Sequence, residues 1–306
     1  MVESTLAFQR RYDCDWVKVT PASTFQVRDY GITDAWKGDP LGRRWIGPGI
    51  IREPEDWDRL PSIDPSEGFL GGHLRCAREL RRRLARDVPV LQSIFNPVFQ
   101  ASVIGGAAFG AHVEACAEAV EAGLKRITEN TVKFIEALAD AGVDGIYLVS
   151  QHARDGGLSR AAYERFGWPS DARCLEVAAG MPFASFLHLH GEGVFLPAAD
   201  NFPRCVLHLA SDGGNPDPKQ LLDSERRWVS SGPDQDGSIR RGTPEEAATE
   251  VRAVLEKWKG PGFLLGAGCV LPLDTPEANI LAATAAARES RPDRPLPRVA
   301  AKPNST

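Results

Sequence analysis

The amino-acid sequence predicts an α/β protein built on a parallel sheet wrapped by helices, and its size and strand count favour a (β/α)₈ barrel. Short apolar runs rich in β-branched residues alternate with stretches of helical periodicity. At 306 residues, with 42% hydrophobic and 25% charged positions, the chain can bury a sizeable core as one large domain. Seven strand candidates can be counted, so we expect the first barrel strand to be missing, shortened or unrecognised.

Each strand candidate is a short apolar run bounded by glycine, proline or polar residues. In chain order the candidates are 17–20, 88–95, 145–150, 183–190, 205–210, 237–240 and 263–268. Helical patterns lie between them, and the longest is 112–141, where apolar residues recur mostly every three or four positions. Shorter patterns cover 72–87, 244–257 and 275–288. The last two open with Thr-Pro, and the hydroxyls of Thr243 and Thr275 can cap the helices.

Composition excludes several classes of function. The net charge of -5 and the dispersed basic residues give no footprint for nucleic acid. No uncharged apolar run is long enough to span a bilayer, and the amino terminus lacks the pattern of a secretory signal. Six cysteines without a short repeated spacing predict free thiols, which indicates a cytoplasmic protein. We expect one barrel domain over 1–288 and a disordered tail, rich in proline and charge, over 289–306.

The segment FLHLHG at 186–191 carries two histidines at strand spacing. Because side chains alternate along a strand, His188 and His190 point to the same face, about 6.6 Å apart along the backbone. About eighty residues later, Cys269 follows another strand, and strand ends meet at the carboxyl face of a barrel. Two imidazoles and a thiolate suit zinc with an open fourth position. The chemistry alone leaves a second interpretation open, in which these histidines are hydrogen-bonded in a polar cleft.

Other polar residues also follow predicted strands. We expect Asn96, Gln151, His152 and Arg240 to contribute to substrate binding, although each could equally be a loop residue that only forms hydrogen bonds. His208 is a rival metal ligand, but its mid-strand position favours a core histidine with satisfied hydrogen bonds. Four arginines at helical spacing predict a solvated outer face: Arg75, Arg78, Arg82 and Arg86. The long segment 211–236 has the length of a lid loop or of a passive connection.

Four stretches resemble the uroporphyrinogen decarboxylase family, which also contains zinc-dependent methyltransferases that act on corrinoids and thiols. They are VPVLQSIFNPVFQASVIGG (88–106), FLHLHG (186–191), GTPEEAATEV (242–251) and GAGCVLPLDTPEAN (266–279). The resemblance extends from about Asp15 to Arg288 and implies a (β/α)₈ barrel. The family's usual first strand precedes anything present here, so the resemblance also implies a shortened amino terminus.

The two branches of the family imply different site residues. The decarboxylases carry an arginine-rich segment, an aspartate, a tyrosine and a histidine. Here the first two have no match, Val103 stands near the tyrosine's place, and Ala267 aligns with the histidine. The methyltransferases carry a His-x-Cys pair and a distant cysteine. His188 and Cys269 match this pattern, while His190 stands where a cysteine is usual.

The resemblance therefore implies zinc held by His188, His190 and Cys269. Two neutral imidazoles and one thiolate would leave the site with a net charge of about +1, a stronger Lewis acid than a site with two thiolates. Such a site could activate a thiol or polarise an ether oxygen. We expect methyl transfer between a small substrate and a corrinoid protein or a thiol. The alternatives are decarboxylation of uroporphyrinogen to coproporphyrinogen and a binding barrel without catalysis.

Overall fold

The computed structural model describes residues 1–39, 42–198, 202–224, 228–258 and 261–290. Nine strands form in these ranges. They are β1 (Val17–Val19), β2 (Asp34–Trp36), β3 (Arg44–Ile46), β4 (Val90–Phe95), β5 (Gly145–Ser150), β6 (Phe186–Leu189), β7 (Val206–His208), β8 (Trp228–Ser231) and β9 (Phe263–Leu265). Strands β2 and β3 make a separate antiparallel hairpin. The other seven form one parallel sheet in the order β1-β4-β5-β6-β7-β8-β9, which confirms the parallel α/β prediction.

Helices connect these strands. They are α1 (Val2–Tyr12), α2 (Gly68–Arg83), α3 (Pro97–Gly105), α4 (Phe109–Ala115), α5 (Ala117–Asp140), α6 (Arg160–Ala178), α7 (Pro218–Ser224), α8 (Ser238–Arg241), α9 (Pro244–Lys257) and α10 (Glu277–Glu289). None of these helices, in the part of the chain that the structure describes, combines the length and the apolar composition that a bilayer crossing requires.

The sheet curls so that its two edge strands, β1 and β9, approach each other, and α1 joins the two sides. Arg11 of α1 pairs with Glu277 of α10 at 2.6 Å. Arg288 at the end of α10 pairs with Asp13 at 2.8 Å and donates to the carbonyl of Tyr12 at 3.0 Å. The described ranges contain seven strands of this sheet, and these contacts hold the first and last helices together.

Six of the seven predicted strands are confirmed, and one is wrong. Residues 237–240 were expected to be extended, but Ser238–Arg241 forms the short helix α8. Asp234 initiates a turn there, because its carboxylate accepts from the backbone N–H of Asp236 at 3.0 Å. The seventh strand is β8, which lies inside the predicted long loop 211–236 together with α7. That segment is therefore not one long loop.

The helix predictions differ from the structure mainly at their ends. The pattern 112–141 is divided into α4 and α5 at Cys116, whose backbone leaves the helical region at φ -134° and ψ 45°. Helix α9 matches its predicted bounds, and Thr243 caps it in a capping box with Glu246. Thr275 does not cap α10, because the helix begins two residues later and its N-cap residue is Pro276.

The inner face of the sheet is polar towards the carboxyl ends of its strands. Paired residues in a parallel register point to the same face. Tyr147 pairs with Ser93 and with Phe186, and His188 pairs with His208, so these five side chains share the space that the sheet encloses. The predicted arginine face is confirmed, since Arg75, Arg78, Arg82 and Arg86 are all exposed. Most of the predicted tail 289–306 lies outside the described residues.

Candidate metal centre

Three predicted ligand residues come together at the carboxyl ends of β6 and β9. His188 lies within β6, and His190 continues the same register because its backbone N–H donates to the carbonyl of Ser150 at 2.9 Å. Cys269 follows β9 by four residues. Its Sγ lies 3.9 Å from His188 Nε2 and 3.4 Å from His190 Nδ1, and one ligand atom from each residue lies within 4.8 Å of the others. We call these residues the histidine-cysteine cluster.

The ring of His188 is oriented by a backbone partner. Its Nδ1 lies 3.3 Å from the carbonyl oxygen of His208, an interaction in which the imidazole is the donor. A proton on Nδ1 leaves the lone pair on Nε2, which is the atom that faces Cys269. Such a second hydrogen bond is how ligating histidines are usually held in one tautomer.

Burial keeps both imidazoles neutral. Burial lowers the pKa of His188 far below its usual range, with a further lowering by His208 and His190. Burial and then the Arg154 guanidinium lower the pKa of His190. The lone pairs of both rings are therefore free to bind a cation at neutral pH.

The thiol of Cys269 behaves in the opposite way. Burial raises its pKa, although the backbone N–H of Val270 and the ammonium of Lys18 both oppose that rise. Without a further cation the thiol is therefore protonated at neutral pH. A bound metal would supply the charge that makes it a thiolate.

The donor set fits zinc. Tetrahedral zinc at about 2.1 Å from nitrogen and about 2.3 Å from sulfur separates nitrogen and sulfur ligands by about 3.6 Å. The observed distances of 3.4 Å and 3.9 Å lie on either side of this value. Three protein ligands leave one position open, as in catalytic zinc sites.

His208 lies beside the cluster but has other partners, as the mid-strand position predicts. Its Nδ1 is 2.9 Å from the hydroxyl of Ser230, and the nearby backbone of Gly268 and Ala267 partly opposes the lowering of its pKa. Burial lowers its pKa to about 3. The interpretation of a satisfied core histidine therefore holds for this residue.

Two glycines allow the chain directly after β8 to pack closely against the segment before Cys269. A Cβ at Gly266 would lie 3.2 Å from Cε1 of His208, and a Cβ at Gly232 would lie 1.6 Å from the carbonyl oxygen of Gly266. A side chain at position 232 would displace the segment before Cys269, and one at position 266 would crowd the His208 ring.

Two residues near the cluster were not identified from the sequence. Lys18 projects from β1 with its Nζ 4.4 Å from the centre of the Tyr147 ring. That ring also lies 5.7 Å from the rings of both His188 and His208. In the sequence, Lys18 is a single lysine within a short apolar run. A lysine in such a run is more typical of an exposed edge strand than of a site residue.

Two asparagines hold the loops around the cluster, and they also carried no sequence signal. Asn215 donates to the carbonyls of Gly191 and Ala210 at 2.9 Å and 3.1 Å, and so joins the loops that follow β6 and β7. Asn279 of α10 is buried and donates to the carbonyls of Gly242 and Ile239 at 2.8 Å and 3.2 Å. It thereby fixes the end of α8 against α10.

The predicted substrate-binding residue Asn96 belongs to a different group. It follows β4, is fully buried, and caps α3 by accepting from the N–H of Phe99 at 3.0 Å. Its amide nitrogen donates to Asp171 and Tyr163 at 2.8 Å and 2.9 Å. Both polar atoms of the side chain are thus occupied in the protein interior.

The other three predicted binding residues also have neighbours outside the cluster. Arg240 pairs with Asp236 at 2.5 Å and Asp274 at 2.8 Å, and these carboxylates raise its pKa. His152 lies 6.3 Å from the rings of both Phe99 and Phe109, measured between ring centres. Its buried Nδ1 has no hydrogen-bond partner among the described residues. Gln151 is partly buried, and its carbonyl accepts from Arg154 at 3.3 Å.

Comparison with known proteins decides the family. The family model described as "Uroporphyrinogen decarboxylase (URO-D)" matches residues 1–290. The chain belongs to the uroporphyrinogen decarboxylase family.

Two relatives are named methylcobamide:CoM methyltransferase MtbA. The one from Methanosarcina acetivorans is 24% identical over 249 residues, which is 76% of this chain and 67% of the relative. The one from Methanosarcina mazei is 22% identical over 231 residues, 75% of this chain and 67% of the relative.

Solved structures support the barrel fold of this URO-D family member. A methyltransferase from Methanosarcina mazei superposes with a TM-score of 0.79 and 19% identity, over 94% of this chain and 84% of that one. A B12-independent methionine synthase from Shewanella sp. W3-18-1 superposes with a TM-score of 0.57 and 14% identity, over 94% and 86%. The predicted fold class is confirmed, and the named relatives support an enzyme of the methyltransferase type.

Proposed function

We propose that the protein is a zinc-dependent methyltransferase that moves a methyl group between a small methylated substrate and a corrinoid protein or a thiol. The observation that carries this proposal is the convergence of His188 Nε2, His190 Nδ1 and Cys269 Sγ within 4.8 Å at the carboxyl ends of the strands. The names of the methyltransferase relatives agree with it.

Zinc bound to these three atoms would hold an acceptor thiol as its thiolate. The methyl group then forms a carbon–sulfur bond while the bond to its donor breaks, and the electron pair of that bond stays with the donor. The thiol proton leaves when the thiolate forms. His190 replaces the cysteine that is usual in this family, so the zinc would carry about one more positive charge and acidify the thiol more strongly.

The residues around the cluster prepare this step. The carbonyl of His208 fixes the ring of His188, and the hydrogen bond from the backbone N–H of His190 to the carbonyl of Ser150 fixes the position of His190. Tyr147 covers the inner side of the cluster with its ring. Preformed ligand positions of this kind need little reorganisation when metal or substrate binds.

A corrinoid protein would approach the open face, where several exposed apolar side chains lie. On the β2–β3 hairpin, Trp36 and Trp45 are exposed at 60% and 49%. In the segment after Cys269, Leu273 is exposed at 71%, and a Cβ at Gly42 would lie 3.8 Å from its Cδ1. The loop of the hairpin therefore lies close to this segment, and together they present an apolar rim suited to a protein partner. A cytoplasmic location remains our prediction, in agreement with six free cysteines.

The test combines metal analysis with a transfer assay. We expect the purified protein to contain about one zinc per chain, and the zinc-loaded protein to transfer methyl from methylcobalamin to small thiols. Cys269→Ala should lower zinc affinity by at least about 1,000-fold and abolish transfer, because it removes the anionic ligand. His190→Ala should also lower zinc affinity, by less than Cys269→Ala because it removes a neutral ligand and not the anionic one.

Cys76→Ala is the matched control. Cys76 is a half-buried thiol on α2, and burial raises its pKa as it does for Cys269. This variant should keep its zinc and its activity. Full activity in Cys269→Ala would overturn the proposal. Zinc-free protein that consumes uroporphyrinogen would favour decarboxylation, and zinc-free protein without turnover would favour a binding barrel.

A further inference from the structure

Lys18 places a cation inside the barrel next to the histidine-cysteine cluster. It is the middle residue of β1, and its Nζ lies over the Tyr147 ring at 4.4 Å. A cation on an aromatic face is favourable, but it does not replace the hydration lost on burial. Burial lowers the pKa of this ammonium, and Cys269 is the nearby group that opposes the lowering.

No carboxylate pairs with Lys18 in the ranges that the structure describes. The residues whose pKa its charge shifts are His188, His208 and Cys269, and with zinc bound to the cluster this region would remain net positive. Arg81, which is partly buried as Lys18 is, pairs instead with Asp144 at 2.8 Å. A partly buried cation without a carboxylate partner, beside a candidate metal centre, is typical of a place where a ligand brings the negative charge.

A second unpaired donor lies on the same inner face. Ser93 of β4 pairs in register with Tyr147, so the two side chains point in the same direction. Ser93 is only 2% exposed, and its Oγ has no hydrogen-bond partner among the described residues. An unsatisfied buried hydroxyl in a native protein calls for an explanation, and a bound ligand is one.

We propose that Lys18, which lies over the ring of Tyr147, and Ser93, on the same face of the sheet, bind the anionic group of the substrate, a carboxylate in the simplest case. This proposal rests on the proposed function, because it supplies the second anchor for the molecule that reacts at the histidine-cysteine cluster. The substrate is then a small thiol or methylated compound with an acid group at its other end. The ammonium supplies the charge, the hydroxyl donates a hydrogen bond, and the ring excludes water from one side.

The first experiment measures binding of two thiols of matched length, 3-mercaptopropionate and 3-mercapto-1-propanol, to the zinc-loaded protein by calorimetry. We expect the acid to bind at least about tenfold more tightly than the alcohol, because it adds a charge-assisted hydrogen bond. Lys18→Met has an unbranched side chain without charge and should abolish this preference while leaving alcohol affinity and zinc content unchanged. Ser93→Ala should reduce the preference by a few-fold.

The control variant is Lys133→Met, since Lys133 is a surface lysine whose Nζ donates to Ser62 at 2.7 Å. It should keep the preference of the natural protein. Equal affinity of the natural protein for the two thiols would overturn the proposal. So would an equal loss of both thiols in Lys18→Met, which would indicate a structural role.

A second titration separates this inference from the proposed function. Propionate and propionamide both lack the thiol. We expect propionate to bind saturably and propionamide not to bind. Binding of propionate should be lost in Lys18→Met and kept in Lys133→Met. Propionate binding without any thiol binding would contradict thiol chemistry at the cluster and support the anion site. Thiol binding with no propionate binding and no acid preference would support the cluster and overturn the anion site.

Discussion

Two groups of polar side chains lie at the carboxyl ends of strands, and they differ in how far their hydrogen bonds are satisfied. The first, which we call the acid network, consists of Asn96, Ser150, Tyr163 and Asp171 beside β4 and β5. The Tyr163 hydroxyl donates to Asp171 at 2.6 Å and lies 2.6 Å from the Ser150 hydroxyl. Asn96 donates to Asp171 at 2.8 Å.

The second is the histidine-cysteine cluster with Lys18 and Ser93. Its Nε2, Nδ1 and Sγ atoms converge without a carboxylate, and the Lys18 ammonium and the Ser93 hydroxyl remain unpaired among the described residues. The side chains of the acid network are buried, whereas Lys18, His190 and Cys269 are only partly buried. The acid network also satisfies its own hydrogen bonds, whereas the cluster needs a cation and, by our inference, an anion. Unused bonding capacity therefore marks the functional group.

The largest effect that sharpens this comparison is the loss of stability in Asp171→Ala. The substitution removes the buried acceptor that Asn96 and Tyr163 share and leaves a cavity in its place, so we expect the free energy of unfolding to fall by about 4 kcal/mol. Urea unfolding followed by circular dichroism measures it. The zinc content of the folded protein should not change.

Cys269→Ala is the contrasting variant from the cluster. It should change the free energy of unfolding of the metal-free protein by less than about 1 kcal/mol, since no buried partner depends on its thiol alone. A larger loss of stability in this variant than in Asp171→Ala would reverse the distinction between the two groups.

The sequence was sufficient to predict the sheet and the three residues of the histidine-cysteine cluster. Strand period two places His188 and His190 on one face, whatever the rest of the fold does. Cys269 is eighty residues away, and its approach follows from the parallel topology, in which strand ends meet at one face. The resemblance to a family with a distant cysteine added the same expectation independently.

The acid network could not be predicted, because half of it lies on a helix that the periodicity did not reveal. Helix α6 contains Pro169 and lacks a clear apolar stripe, and Tyr163 and Asp171 both lie on it. Asn96 therefore looked like a free strand-end residue. Lys18 was missed for a related reason, since three residues of β1 are too few to show which face of the strand is buried.

A smaller effect concerns pH. Burial raises the pKa of Asp171 to about 7, against 3.8 for an ordinary aspartate, and the hydrogen bonds from Tyr163 and Asn96 oppose this only in part. Between these values the folded protein retains a proton that the unfolded chain has released. The contribution of Asp171 to stability is therefore present at low pH and is lost as the pH rises towards 7.

We expect the natural protein to lose about 2 kcal/mol of unfolding free energy relative to Asp171→Asn between pH 5 and pH 7. The buried histidines have lowered pKa values, so their contribution to the free energy of unfolding grows with pH. This contribution is the same in the natural protein and in the variant, and it cancels in the difference between them. Urea unfolding of both proteins at pH 5, 6 and 7 measures the difference. A difference that does not vary with pH would mean that Asp171 is ionised throughout.

The smallest expected effect concerns the boundary of the cluster, at Ser230→Ala. The Ser230 hydroxyl is the side-chain partner of His208 Nδ1 at 2.9 Å, and its loss should lower the free energy of unfolding by about 1 kcal/mol. The orientation of His188 depends on the backbone carbonyl of His208 and not on the His208 ring. Zinc affinity should therefore change by less than about twofold in a competition titration with a chelator. A tenfold loss of affinity would instead indicate that the His208 ring, once freed from Ser230, disturbs a ligand position. His208 would then belong to the metal centre.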